Sequence, residues 1–142
     1  MTARGGDLLS GRIVEIGGAR PRFDGPAIDL KGRALETAHR GGVKLAYGTD
    51  LLGVMHRHQL REFAIRREVQ SPADIIRAAT VHAAALFRMA GEIGVVAPGA
   101  RADLLVIDGD PLHDIGVLQD PARFLKAVVQ DGMIRHDRLA EM

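Results

Sequence analysis

The residues best placed to do chemistry lie at the end of Gly42-Val43-Lys44-Leu45-Ala46-Tyr47-Gly48-Thr49-Asp50. A short apolar run stops at Gly48, and Thr49-Asp50 follows at once. Such a run reads as a buried strand whose carboxyl end carries an acid into a loop. In barrel and open-sheet enzymes that end of a strand is where reactions take place. An ionised Asp accepts protons and binds cations but donates nothing. Asp50 is therefore a candidate proton acceptor or metal ligand. Thr-Asp is equally a turn former and helix N-cap, and that reading stays open. Shortly after it, His56-Arg57-His58 has His-x-His spacing. On a strand this spacing puts both rings on one face. Asp50, His56 and His58 with a water would make up a catalytic zinc shell. A pair of solvated surface histidines is the alternative. His39, His82, His113 and His136 are scattered and read as surface or helix residues.

The elements that would position these groups follow from periodicity and turn chemistry. Residues 12–16 and 27–30 are strand candidates on either side of a Gly/Pro-rich turn. Residues 43–48 read as a strand. Gln59 to Val69 reads as an amphipathic helix with Leu60, Phe63 and Ala64 on one face, and Arg66-Arg67 on a solvated one. Ser71-Pro72-Ala73-Asp74 opens a second helix: a Ser N-cap, Pro at the first helical position, an acid in the first turn. Its pattern runs to Met89 with Ile75, Ile76, Ala79, Ala83 and Leu86 inward, and Gly91 is placed to stop it. Residues 93–96, 103–107, 124–130 and 133–136 read as strands. Pro98-Gly99 marks a turn, and Asp131-Gly132 is a type I′ hairpin signal. Asp103, Asp108 and Asp110 read as turn-shaping acids rather than chemical ones.

Composition bounds the answer. The chain has 142 residues, 46% apolar and 26% charged, with a net charge of +1, so it has ordinary globular character and no electrostatic case for nucleic acid or a membrane surface. It contains no Cys, which removes disulfides and thiolate chemistry. No apolar run approaches the ~20 residues of a bilayer span, and Met-Thr-Ala-Arg-Gly-Gly-Asp lacks a signal-peptide core. A cytoplasmic protein is the expectation.

The order of motifs resembles one family. Gly48-Thr49-Asp50-Leu51-Leu52-Gly53 precedes Gln59-Leu60-Arg61-Glu62-Phe63, then Ile75-Ile76-Arg77-Ala78-Ala79-Thr80 and Ala83-Ala84. Gly94-Val95-Val96-Ala97-Pro98-Gly99-Ala100-Arg101-Ala102-Asp103-Leu104-Leu105-Val106, Asp108-Gly109-Asp110-Pro111-Leu112 and Val128-Val129-Gln130-Asp131-Gly132-Met133-Ile134 follow. From about Gly41 to His136 this resembles the carboxyl-terminal third of metal-dependent amidohydrolases, in particular their imidazolonepropionase-like and Xaa-Pro dipeptidase-like members. Gly11–Gly17 and Ile28–Leu35 resemble the strands that open such proteins.

The resemblance implies zinc-dependent hydrolysis of C–N bonds in small peptide-like or acyl-amino-acid substrates, with Asp50 as ligand and proton shuttle. It implies an incomplete apparatus too. The family's His-x-His at the first barrel strand and its later His ligands have no counterpart, and a full eight-stranded barrel needs ~250 residues. The expected fold is α+β: a composite β-sandwich of residues 1–35 and 91–138, with 36–90 a remnant of the last β/α unit. Residues 34–41 also fit the end of a helix preceding the last strand. An apolar strand with open edges predicts a homo-oligomer. Two alternatives stand beside a truncated hydrolase: a non-catalytic sandwich module that dimerises or docks, and one half of a split hydrolase.

Overall fold

The computed structural model describes residues 26–141. The strand expected at 12–16 lies outside them. The strand expected at 27–30 is instead helical, because α1 spans Pro26–Arg40. Pro at the first position suits a helix start, and Ala, Leu, Lys, Arg and Glu dominate the rest. An exposed Glu36–Arg40 pair at i,i+4 spacing adds a little (2.7 Å). The helix ends in a Schellman turn: Gly42 sits at φ 69°, its N–H reaches the His39 carbonyl, and the Val43 N–H reaches that of Ala38 (both 3.0 Å). Residues 26–40 are thus the helix that 34–41 also fitted.

Residues 43–50 form no ladder among the described residues, and a strand is defined by its partner. A 3₁₀ turn, Gly53–His58, follows. The amphipathic helix is shorter than expected, α2 being Arg61–Arg66. α3, Pro72–Ala79, starts as read: Ser71 Oγ accepts the Asp74 N–H (3.2 Å) and donates to Asp74 Oδ2 (2.7 Å). That bond, with the nearby Arg77, holds the Asp74 carboxyl below the usual range.

The expected run to Met89 breaks at Thr80, whose φ −120° and ψ −91° leave the helical region; α4 restarts at Val81–Leu86. Gly94 packs against the break. It sits at φ 73° directly against Thr80, where an added Cβ would lie 2.8 Å from the Thr80 carbonyl carbon. α4 then ends before Gly91, with Arg88 in the left-handed region (φ 59°) and Met89 N–H on the Ala84 carbonyl (2.8 Å). The strand expected at 93–96 is a turn flanked by positive-φ Gly91 and Gly94, with one isolated Ala90–Ile93 bridge.

The carboxyl-terminal part is a three-stranded antiparallel sheet in the order β1 (Leu104–Ile107), β2 (Leu125–Gln130), β3 (Met133–Asp137). A one-turn helix, α5 (Pro121–Phe124), feeds β2. Asp131 (φ 51°) and Gly132 (φ 77°) both take positive φ, as the type I′ signal requires. Gly99 at φ 88° after Pro98 makes the other expected turn, closed by Ala100 N–H on the Ala97 carbonyl (3.1 Å). Helices and a small open sheet therefore coexist, as an α+β chain should show, and no closed barrel forms among the described residues.

Ile75, Ala78 and Ala84 are buried on α3 and α4, Ile115 and Val117 on a 3₁₀ turn (Ile115–Gln119) that packs on α2, and Ala127 on β2. No helix among the described residues is long and apolar enough to cross a membrane.

Candidate active-site segment

Asp50 is exposed and takes φ 50°, in the left-handed region that non-glycine residues seldom occupy. Asp is among the residues that tolerate it best. The backbone thus turns sharply at the acid.

What precedes Asp50 is held by three helices. The Leu45 carbonyl lies 3.1 Å from His82 Nδ1 on α4. The Ala46 carbonyl accepts from Arg66 Nη2 on α2 (3.1 Å). The Tyr47 N–H donates to the Ala78 carbonyl at the end of α3 (2.9 Å). The Tyr47 hydroxyl donates to the Gln59 carbonyl (3.3 Å), and its ring meets Phe63 with centroids 4.7 Å apart. Burial first, then the Glu62 charge, push the Tyr47 phenol up to about 12, against a lowering by Arg66.

Arg66 corrects the expected solvated helix face. It is 6% exposed, while Arg67 is exposed. Its guanidinium is committed to Glu62 Oε1 (2.7 Å), Gln70 Oε1 (3.4 Å) and the Ala46 carbonyl, and it lies 5.1 Å from the Tyr47 ring centre. The fixed five-donor fork of Arg suits such divergent acceptors, and a buried charge needs them all. The sequence held the signal: Arg66 is at i+3 from Phe63 on the apolar side, with Glu62 and Gln70 at i−4 and i+4. His82 is half-buried rather than a bland surface group.

His56 is exposed and His58 half-buried, both on the 3₁₀ turn, where strand geometry does not apply. Arg57 Nε donates to His58 Nε2 (3.0 Å). Among the described residues no group of three or more His, Asp or Glu side chains could hold a metal ion, so Asp50, His56 and His58 are not gathered into one. The donor set present here does not fit a resident zinc, although the family at large is metal-dependent. The other acids act as expected of turn residues, with one addition. Asp103 Oδ1 accepts from Asp131 N–H and Asp110 Oδ1 from Leu112 N–H (2.7 and 2.9 Å), while Asp108 pairs with buried Lys126 (3.4 Å).

The model of the amidohydrolase family matches residues 30–135, which include Asp50 and every element that grips its approach. The chain belongs to the amidohydrolase family. A prolidase solved in complex with N-methylphosphonate-L-proline is 44% identical, with a TM-score of 0.71 over 75% of this chain and 26% of that one. A Xaa-Pro dipeptidase with bound methionine in its active site is 32% identical, with a TM-score of 0.66 over 74% and 25%. The ochratoxinase of Aspergillus niger is 32% identical over 90 residues, 63% of this chain and 19% of that enzyme. This amidohydrolase chain thus spans about a quarter or less of the relatives it matches.

Proposed function

We propose that this chain supplies the Asp50-bearing segment of a metal-dependent amidohydrolase acting on small peptide-like or acyl-amino-acid substrates. One observation carries the reading: within the family match, the sharp left-handed turn falls on the acid itself. In this role Asp50 would act as base beside a zinc whose histidine ligands would come from polypeptide other than these 142 residues. His56 and His58 would line its mouth. The chain's own contribution is to fix where the carboxylate sits. In isolation it is not expected to turn over substrate.

The sandwich reading joins residues 1–35 and 91–138, with 36–90 as the last β/α unit; residues 26–35, being helical, lend it no strand. It is supported by the open three-stranded sheet, whose edge strand β3 is exposed along its length. Self-association is supported by exposed Leu52, Val54, Leu86, Phe87 and Val96. These same surfaces are what the split-hydrolase alternative would use.

The test is a chimera. Residues 26–141 replace the matching quarter of the 44% identical prolidase. The chimera should hydrolyse Xaa-Pro dipeptides, and Asp50→Asn should abolish this. A folded, zinc-loaded chimera indifferent to Asp50→Asn would refute the assignment.

A further inference from the structure

We infer that His82 and Arg66 are positioning residues that hold the backbone leading into Asp50; the functional meaning of this rests on the Asp50 reading above. The segment 43–50 has no ladder among the described residues, yet three consecutive residues are each bonded from a different helix. The Thr80 break makes two of these bonds possible. In a continuous helix the Ala78 carbonyl would accept the N–H of residue 82. The break frees that carbonyl for the Tyr47 N–H and brings the His82 ring to the Leu45 carbonyl. A carbonyl only accepts, so Nδ1 of His82 carries the proton, which fixes the tautomer. The third bond comes from Arg66, whose Nε and Nη1 are tied to Glu62 and Gln70, so its fork is held rigid at Ala46. With residues 45, 46 and 47 fixed, few backbone torsions separate the gripped segment from the carboxylate of Asp50.

Amide hydrogen exchange on the ¹⁵N-labelled full chain tests this. His82→Leu and Arg66→Met should speed exchange of the Tyr47 amide roughly tenfold, since each removes a part-buried bond holding its segment. The Ala127 and Val128 amides of β2 should stay unchanged. His82→Gln, whose amide donates, should restore protection. Arg66→Lys keeps the charge but not the fork, guards against misfolding of the Met variant, and should still accelerate exchange. Ring ¹⁵N shifts should show His82 protonated at Nδ1. Equal acceleration in β2, no change at Tyr47, or a ring protonated only at Nε2 would overturn the inference. In the prolidase chimera, a neutral His82→Leu beside an inactive Asp50→Asn would overturn it as well. An active Asp50→Asn chimera would instead remove the functional reading and leave the exchange result standing.

Discussion

The Asp103 carboxylate accepts the backbone N–H of Asp131 at 2.7 Å, tying the entrance of β1 to the turn of the β2–β3 hairpin. Beside it the Gly132 N–H reaches the Ala102 carbonyl (3.0 Å). The turn adopts positive φ at both central residues, and these two bonds lock it against the neighbouring strand. Asp103 therefore works in the sheet, not in the chemistry. Asp103→Ala should cost about 1 kcal/mol, the usual net value of a hydrogen bond. Asp103→Asn keeps an acceptor oxygen and should recover most of it. Urea unfolding midpoints check this, and a loss for Asn equal to that for Ala would show that the oxygen is not what matters.

Tyr47 gives a clean optical probe, because the chain has a single Tyr and no Trp. Its folded pKa is about 12, raised above the model-compound value of 10.0. The folded state thus holds the phenolic proton after the unfolded chain has released it. Stability from this group is fully present below pH ~10 and declines as pH rises toward 12. Tyrosinate absorbance should titrate near 12 in buffer and near 10 in denaturant. Identical curves would mean that Tyr47 is not packed as described.

Much of the fold could be read before the structure, and the failures share a cause. The Ser71 cap, the Asp131-Gly132 hairpin and the Pro98-Gly99 turn were legible because each is local chemistry within a few residues. Residues 27–30 and 43–48 were not. An apolar run says that burial is needed, but strand or helix is decided by what lies alongside. Ile28–Leu30 lies in a helix whose later turns supply the bias, and 43–48 finds helices rather than strands beside it. The break at Thr80 packs against Gly94, a contact that apolar periodicity cannot register. For the site, Asp50 stood out by position, whereas Arg66 and His82 looked like ordinary helix residues. Their roles come from contacts 20 and 37 residues away in sequence.

Gly94→Ala follows from that geometry. Its Cβ would fall 2.8 Å from Thr80 backbone atoms, at a φ of 73° that side chains disfavour. Backbone cannot yield as a flexible side chain can, so the cost should be roughly 2–3 kcal/mol. Circular dichroism should show little lost helix, since α3 and α4 persist on either side, but the thermal midpoint should fall. Gly132→Ala is the contrast: positive φ but open space, so its cost should be smaller, about 1 kcal/mol. Equal losses at the two sites would show that conformation alone, not the Thr80 contact, sets the penalty.

The last prediction concerns zinc and turnover. Amide hydrolysis at neutral pH needs a strong nucleophile, and a bound zinc provides one by lowering the pKa of its water to about 7. Holding that ion takes three protein ligands with an open position. The described residues assemble no such group, and Asp50 stands exposed. A carboxylate alone neither activates bulk water nor stabilises an oxyanion. The purified chain should therefore hold well under one zinc after dialysis. It should show no hydrolysis of Xaa-Pro dipeptides or N-acyl amino acids, with zinc added or not. Elemental analysis and a product assay decide it, with Asp50→Asn and His58→Ala as controls. One tightly held zinc lost in His58→Ala, or turnover lost in Asp50→Asn, would show that the chain, alone or self-assembled, completes a working site after all.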